Sequence, residues 1–134
     1  MREHDTPLID AARHGRLTDV EALLSGGADV NEGKTDGSGA TALVVAAQEG
    51  HAEVVSALLG SGATIDWSGR DDRWTPLMAA SQQGHVEVLT VLLEAGATVN
   101  PTDIFGRAAM TLACGRGHLT CVKLLSLYGA TRSW

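Results

Sequence analysis

The chain has 134 residues, of which 16 are glycine, 44% are hydrophobic and only 4% are aromatic. This length suits one domain, and the hydrophobic fraction is too high for a disordered tail. The formal net charge of −6 disfavours nucleic acid and anionic membrane surfaces as partners, because both are bound by clustered cations.

The N-terminal segment and the cysteines indicate a compartment. The first residues are polar and no apolar segment follows them, so no secretory signal is expected. No apolar run approaches the roughly 20 residues that a membrane span requires. Cys114 and Cys121 are too few for a disulfide scaffold, and we interpret them as reduced thiols in an aliphatic core. These features predict a soluble intracellular protein of the cytoplasm, the nucleus or both.

Three sequence markers recur along the chain at spacings of 35, 34 and 33 residues. One marker opens an apolar segment, the second is a glycine nine residues later, and the third is a Gly-Ala pair. The markers stand at Thr6, Thr41, Thr75 and Ala108; at Gly15, Gly50, Gly84 and Gly117; and at Gly27, Gly62, Gly96 and Gly129. Because all three shift together, the chain is predicted to be a tandem repeat.

Each period predicts a helix, a turn, a second helix and a loop. The first helix begins as in Thr75-Pro76-Leu77, where a hydroxyl caps backbone N–H groups and proline fits the first turn. A glycine such as Gly84 ends it. The second helix has an apolar stripe, formed by Val54, Val55, Leu58 and Leu59 and again by Val88, Leu89, Leu92 and Leu93. A pair this short cannot bury its stripe alone, so copies must stack.

This pattern resembles the ankyrin repeat, whose signature runs Thr-Pro-Leu-His-x-Ala-Ala, Gly-His, Leu-Leu and Gly-Ala-Asp-Val-Asn. The last part stands here as Gly27-Ala28-Asp29-Val30-Asn31. The resemblance implies an all-α solenoid of four helix-turn-helix units with projecting loop or β-turn fingers, forming a single domain over residues 1–134. The repeats are expected at approximately 2–33, 34–68, 69–101 and 102–134.

The histidines depart from that signature. The signature histidine is replaced by Ile9, Val44, Met78 and Thr111, so the inter-repeat hydrogen bonds credited to it must be absent or made differently. Other histidines open the second helices, at His51, His85 and His118. Neighbours in such a row are roughly 10 Å apart, too far for ligands of one zinc ion. We interpret these histidines as local capping and packing residues.

Catalysis is not expected. The sequence has no phosphate-binding Gly-rich loop, no Gly-x-Ser-x-Gly and no His-Glu-x-x-His. The adjacent carboxylates of Asp71 and Asp72 are interpreted as a solvated turn rather than as a pair for acid–base chemistry or calcium. No cofactor and no metal are predicted.

A partner surface is the stronger expectation. The resemblance implies that the loops between repeats and the first helices line a concave face for a protein or peptide. We name these loops finger 1 (residues 31–40), finger 2 (66–74) and finger 3 (100–107). Fingers 2 and 3 hold most of the aromatic residues, and Trp and Arg are enriched at interface hot spots. The candidate partner-binding residues are Trp67, Arg70, Asp71, Asp72, Trp74, Ile104, Phe105, Gln82, Gln83 and Glu49.

The two finger-2 tryptophans have different expectations. Trp74 directly precedes the helix start and is expected to face the concave surface. Trp67 has two interpretations: it packs under the loop and covers the helix ends, or it faces the partner.

The leading hypothesis is therefore a monomeric, non-catalytic protein-interaction module. One alternative is the N-terminal targeting or substrate-recruitment domain of a longer protein, either an enzyme or a ubiquitin-ligase adaptor. The sequence favours continuation past Trp134 over a degenerate C-terminal cap. Another alternative is a structural array that self-associates through Leu127 and Tyr128.

Overall fold

The computed structural model describes residues 1–69 and 72–129, which form eight α-helices and no β-strand. The helices are α1 (Pro7–Arg13), α2 (Leu17–Ser25), α3 (Ala42–Glu49), α4 (Ala52–Gly60), α5 (Pro76–Gln83), α6 (Val86–Glu94), α7 (Ala109–Gly115) and α8 (Leu119–Leu127). First helices stack on first helices and second helices on second helices. The predicted all-α solenoid of helix pairs is confirmed. Within the described ranges, none of the helices is both long and apolar enough to cross a membrane.

The first helices start as the Thr-Pro pattern predicts. The hydroxyl of Thr6 accepts a hydrogen bond from the Ile9 N–H, and that of Thr75 accepts one from the Met78 N–H, both at 3.2 Å. Thr41, which is followed by alanine instead of proline, makes no such cap. Its hydroxyl is buried without a hydrogen-bond partner among the described residues. The threonine cap is therefore used in two repeats and not in the second.

The core consists of small and medium aliphatic side chains between the helix pairs. Val54, Val55 and Leu58 of α4 are fully buried, whereas Leu59 is half-buried. On α6, all four residues of the predicted stripe are buried: Val88, Leu89, Leu92 and Leu93. Small residues on the first helices, such as Ala46 and Ala80, are also fully buried, so backbones of neighbouring helices approach closely. The predicted stripes are confirmed as the core.

The second-helix histidines join neighbouring repeats. Each directs its ring Nε2 at a backbone carbonyl near the end of the preceding repeat's first helix. The pairs are His51 with Arg13 at 2.9 Å, His85 with Gln48 at 2.8 Å and His118 with Gln82 at 2.9 Å. None of the three makes a side-chain cap on its own helix. The predicted local capping role is therefore wrong, and the inter-repeat bonds are made by a different histidine from the signature one.

A glycine lies beneath each of these rings. Gly50 ends α3 with a φ of 83°, in the left-handed region that favours glycine. A methyl group added there would lie 2.7 Å from Nδ1 of His85. Gly15 and Gly84 stand in the same relation to His51 and His118. The glycine thus serves both to end the first helix and to admit the ring from the next repeat.

A second set of bonds joins the repeats where the fingers begin. The carboxylate of Asp66 accepts hydrogen bonds from the backbone N–H and the hydroxyl of Thr98, at 2.8 and 2.6 Å. One repeat earlier, the side-chain oxygen of Asn31 accepts from the Thr64 N–H at 2.8 Å. The first residues of the fingers are therefore part of the framework between repeats.

We expect Gly50→Ala to cost more stability than Gly62→Ala. Both glycines have positive φ, 83° and 90°, so each alanine adds left-handed strain of about 1 kcal/mol. Only at position 50 would the new methyl also meet a histidine ring, because nothing lies within 4 Å at Gly62. Urea denaturation measures both free energies of unfolding. The difference should shrink when His85→Ala is added, and equal losses in the otherwise native chain would contradict the proposed packing.

Candidate functional site

Finger 3 is built around a buried carboxylate. Asp103 is 2% exposed, and its Oδ1 accepts hydrogen bonds from the backbone N–H groups of Phe105 and Arg107, both at 2.9 Å. Its Oδ2 accepts from Nε of Arg107 at 2.9 Å. The Arg107 guanidinium in turn lies over the Phe105 ring, 5.2 Å from its centroid. One buried side chain therefore fixes both the loop and the aromatic–cation pair at its tip.

This carboxylate remains ionised despite its burial. Burial alone would raise the pKa of Asp103, but hydrogen bonds from Arg107 and Phe105 and the Arg107 charge together hold that pKa below its ordinary value. Asp5 repeats the arrangement in the first repeat. It is also buried, accepts two 3.1 Å hydrogen bonds from the Arg13 guanidinium, and has a lowered pKa although burial opposes the shift.

Finger 2 is closed by backbone bonds and is attached to finger 3. The Gly69 N–H donates to the Trp74 carbonyl at 3.1 Å, and the Asp72 side chain accepts from the Trp74 N–H at 2.9 Å. The Asp72 carbonyl accepts a hydrogen bond from the Ile104 N–H at 3.1 Å. The two fingers are thereby held side by side.

Arg73 has a positive φ of 57°, unlike every other non-glycine residue in the described ranges. In repeat register it corresponds to Gly39 and Gly106, which have φ values of 71° and 74°. The left-handed region is strained for a residue with a side chain, at about 1 kcal/mol. Finger 2 thus has an exposed arginine at a turn position that is glycine in fingers 1 and 3.

The predicted aromatic and apolar residues differ in their exposure. Phe105 is 72% exposed and Ile104 is 47% exposed. Trp74 is half-buried and packs against the hydrophobic core, so only part of its ring is available to a partner. Trp67 is also half-buried. Arg70 and Asp71 lie outside the described residues.

Two grooves lie where the first helices meet the fingers. Groove A, of about 220 Å³, lies between α1, α3 and finger 1, and its lining includes Arg2, Arg13, Lys34, Gln48 and Glu49. Groove B, of about 300 Å³, lies between α5, α7 and finger 3 and is lined by Gln82, Arg107, Thr111, Leu112, Gly115 and Arg116. Of the predicted helix-end residues, Glu49 therefore lies in groove A and Gln82 in groove B, while Gln83 is exposed at the same end of α5 as Gln82.

The residues that organise these loops were not among those predicted from the sequence. Asp103 and Arg107 were not among the candidates, although an aspartate followed closely by glycine is typical of a turn in which the carboxylate accepts nearby backbone N–H groups. Asp36 makes the same kind of turn in finger 1, where hydrogen bonds from Ser38 lower its pKa to about 2. An aspartate followed closely by glycine could therefore have identified these turns from the sequence.

The cysteine, acidic and histidine side chains are the groups of this chain that could serve redox chemistry or bind a metal. Both cysteines are free; Cys121 is buried and Cys114 half-buried. Burial raises the pKa of the Cys121 thiol, so it is held in its neutral form. Within the described ranges, no three His, Cys, Asp or Glu side chains are grouped closely enough to hold a metal ion.

We expect Asp103→Asn to destabilise the chain by about 2 kcal/mol at neutral pH, the scale of hydrogen bonds to a charged group. Because the folded pKa of Asp103 lies below the unfolded value of about 3.8, its stabilisation is present above that pH. That stabilisation is lost as the pH falls through the folded pKa. The native chain should therefore lose stability more steeply in acid than the variant.

Urea denaturation between about pH 7 and pH 2.5 measures this difference. Asp72→Asn is the control, because Asp72 is exposed and, among the described residues, its side chain accepts one hydrogen bond, from the Trp74 N–H. Parallel pH profiles for the native chain and Asp103→Asn would contradict the assigned role.

Comparison with known protein families accounts for this architecture. The sequence matches the family described as Ankyrin repeats (3 copies) over residues 8–103. Helices α7 and α8 lie beyond the match and repeat the same paired arrangement. No match to a curated protein sequence was found. Ankyrin repeats indicate a protein–protein interaction module. The chain belongs to the ankyrin repeat family.

Proposed function

We propose that this protein is a non-catalytic interaction module that binds a protein or peptide through its finger face. The finger face comprises fingers 2 and 3 and the C-terminal ends of α3 and α5. One observation carries the proposal: Ile104 and Phe105 are exposed on a loop that a buried carboxylate holds in place. No nucleic acid or membrane partner is proposed. The free thiols support an intracellular location in the cytoplasm, the nucleus or both.

Rigidity makes this exposed apolar surface suited to binding. An aromatic side chain on a mobile loop must be ordered when the partner binds, which reduces affinity. Finger 3 is ordered beforehand by Asp103 and by the backbone bond to Asp72. The partner would then gain the burial of Phe105 and Ile104 at a small ordering cost.

The remaining proposed site residues surround this centre. Trp74 and Trp67 would contribute the exposed parts of their rings, and Asp72 its exposed carboxylate. Arg70 and Asp71, which lie outside the described residues, are proposed from the sequence alone. Residues at the ends of the first helices would extend the contact, namely Glu49, Gln82 and Gln83. The same proposal treats residues 1–134 as one domain of four repeats at approximately 2–33, 34–68, 69–101 and 102–134.

We expect the double variant Ile104→Ala, Phe105→Ala to weaken partner binding at least tenfold while leaving thermal stability nearly unchanged, because both side chains are exposed. Pull-down from a lysate of the source cells followed by mass spectrometry compares the variant with the native chain. Leu119→Ala is the matched control, since Leu119 is 71% exposed but lies on the second helix α8. A direct partner that binds the double variant and the native chain equally would contradict the proposal.

A specific observation favours self-association as a second candidate. Leu127 and Tyr128 at the end of α8 are exposed, at 80% and 44%. If they mediate contact between copies, equilibrium sedimentation should detect dimers that Leu127→Ser abolishes. A native chain that stays monomeric at high concentration would exclude this candidate.

The role of a targeting domain within a longer enzyme or ubiquitin-ligase adaptor is compatible with the finger-face proposal.

A further inference from the structure

Groove B carries two arginines in a chain with an excess of acidic residues. Arg107 comes from finger 3 and Arg116 from the C-terminal end of α7, and the buried Leu112 lies between these elements in the groove lining. The groove has a volume of about 300 Å³, enough for one or two side chains of a partner but too small for a folded element.

The Arg107 side chain is held in place, but its terminal nitrogens are unused as hydrogen-bond donors among the described residues. Its Nε is used by the Asp103 carboxylate, and its guanidinium lies over the Phe105 ring. The side chain is nevertheless 42% exposed, and its terminal nitrogens make no hydrogen bond to another described residue. A guanidinium fixed in this manner presents its remaining donors as a planar fork, which matches a carboxylate.

Arg116 has no partner of its own among the described residues. Its side chain is exposed and forms neither a hydrogen bond nor an ion pair there. Arg13 in groove A is different, because it makes a two-point contact with Asp5 and lies 3.9 Å from the Glu49 carboxylate. Among the described residues, both arginines of groove B therefore retain free donors, whereas in groove A Arg13 is already paired and only Arg2 is unpaired.

The charge of groove B contrasts with its surroundings. Among the described residues at groove B, two guanidinium groups and the ionised carboxylate of Asp103, which contacts Arg107, sum to a charge of +1, against −6 for the chain. On the second helices α2, α4 and α6 there are five acidic residues and no lysine or arginine. A partner segment with negative charge is thus attracted to groove B and repelled by the side formed by α2, α4 and α6.

From this geometry we propose that groove B binds an aspartate or glutamate side chain of the partner, adjacent to a hydrophobic residue that packs on Phe105. This inference rests on the proposed function, and it names the chemistry of the partner segment. An unmodified carboxylate is proposed over a phosphate group, because it is planar, matches the fork of a guanidinium and carries a single negative charge, as the +1 sum of the described residues at groove B favours.

A random peptide library displayed on phage tests the inference while the partner is unidentified. Selection on the immobilised native chain should enrich peptides in which Asp or Glu is next to a large hydrophobic residue. A synthetic peptide of the enriched sequence then serves as the probe in titration calorimetry. Arg116→Gln should weaken its binding about tenfold, the scale of losing a charge-assisted contact. The control Lys123→Gln removes an exposed cation from α8 and should have no effect.

A double-mutant cycle makes the assignment specific. Replacing the peptide's acidic residue by its amide should weaken binding to the native chain about tenfold and have little effect on Arg116→Gln. Arg116 is preferred to Arg107 for this test, because removing the Arg107 side chain would leave the buried Asp103 carboxylate without the guanidinium that pairs with it. Additive losses in the cycle would overturn the inference.

The outcomes separate this inference from the proposed function. Peptides that require Ile104 and Phe105 but tolerate Arg116→Gln would overturn the groove assignment and leave the finger face intact. Tenfold tighter binding of a phosphoserine version of the peptide would overturn the choice of carboxylate. Failure to enrich any peptide that depends on fingers 2 and 3 would count against both.

Discussion

Burial of aliphatic side chains between successive helix pairs holds this protein together, since no pair has enough apolar surface to form a core alone. Val88, Leu89 and Leu92 are fully buried because α5 of the same repeat and α4 and α8 of the neighbouring repeats all pack on α6. The histidine contacts restrict how neighbouring repeats can be aligned within this packing. A ring that must reach a carbonyl and rest on a glycine allows one register between neighbouring repeats, whereas aliphatic contact alone would tolerate sliding.

That fixed register positions the recognition surface. Each finger begins with a side chain that binds the next repeat, as Asp66 does, and finger 3 is further held by Asp103. The tip of finger 3 is therefore held by the framework and needs no ordering when a partner binds. The molecule separates two tasks: buried polar contacts set the positions of the loops, and exposed residues such as Phe105 are left for a partner.

The sequence predicted the parts of this structure that depend on local spacing. Markers at 33 to 35 residues were sufficient for the helix pairs, and the Thr-Pro starts were sufficient for the caps at Thr6 and Thr75. Contacts that depend on how the repeats stack could not be predicted from the sequence. The carbonyl that His85 contacts lies 37 residues away, and the partial burial of Trp74 depends on the core beneath it. The role of Asp103, by contrast, could have been predicted, because its hydrogen-bond partners lie within four residues and its turn motif is recognisable in the sequence.

The pairing of glycine and histidine has a consequence for how such a chain changes length. Gly50 and His51 are adjacent in the chain. This dipeptide therefore holds both the glycine on which His85 of the following repeat packs and the histidine that contacts the preceding repeat. A tandem duplication of residues 50–83 would leave every histidine with a glycine and a carbonyl at spacings that already occur in the chain. Whole repeats can therefore be gained or lost while the glycine–histidine contacts between repeats are preserved, and the recognition surface can lengthen with them.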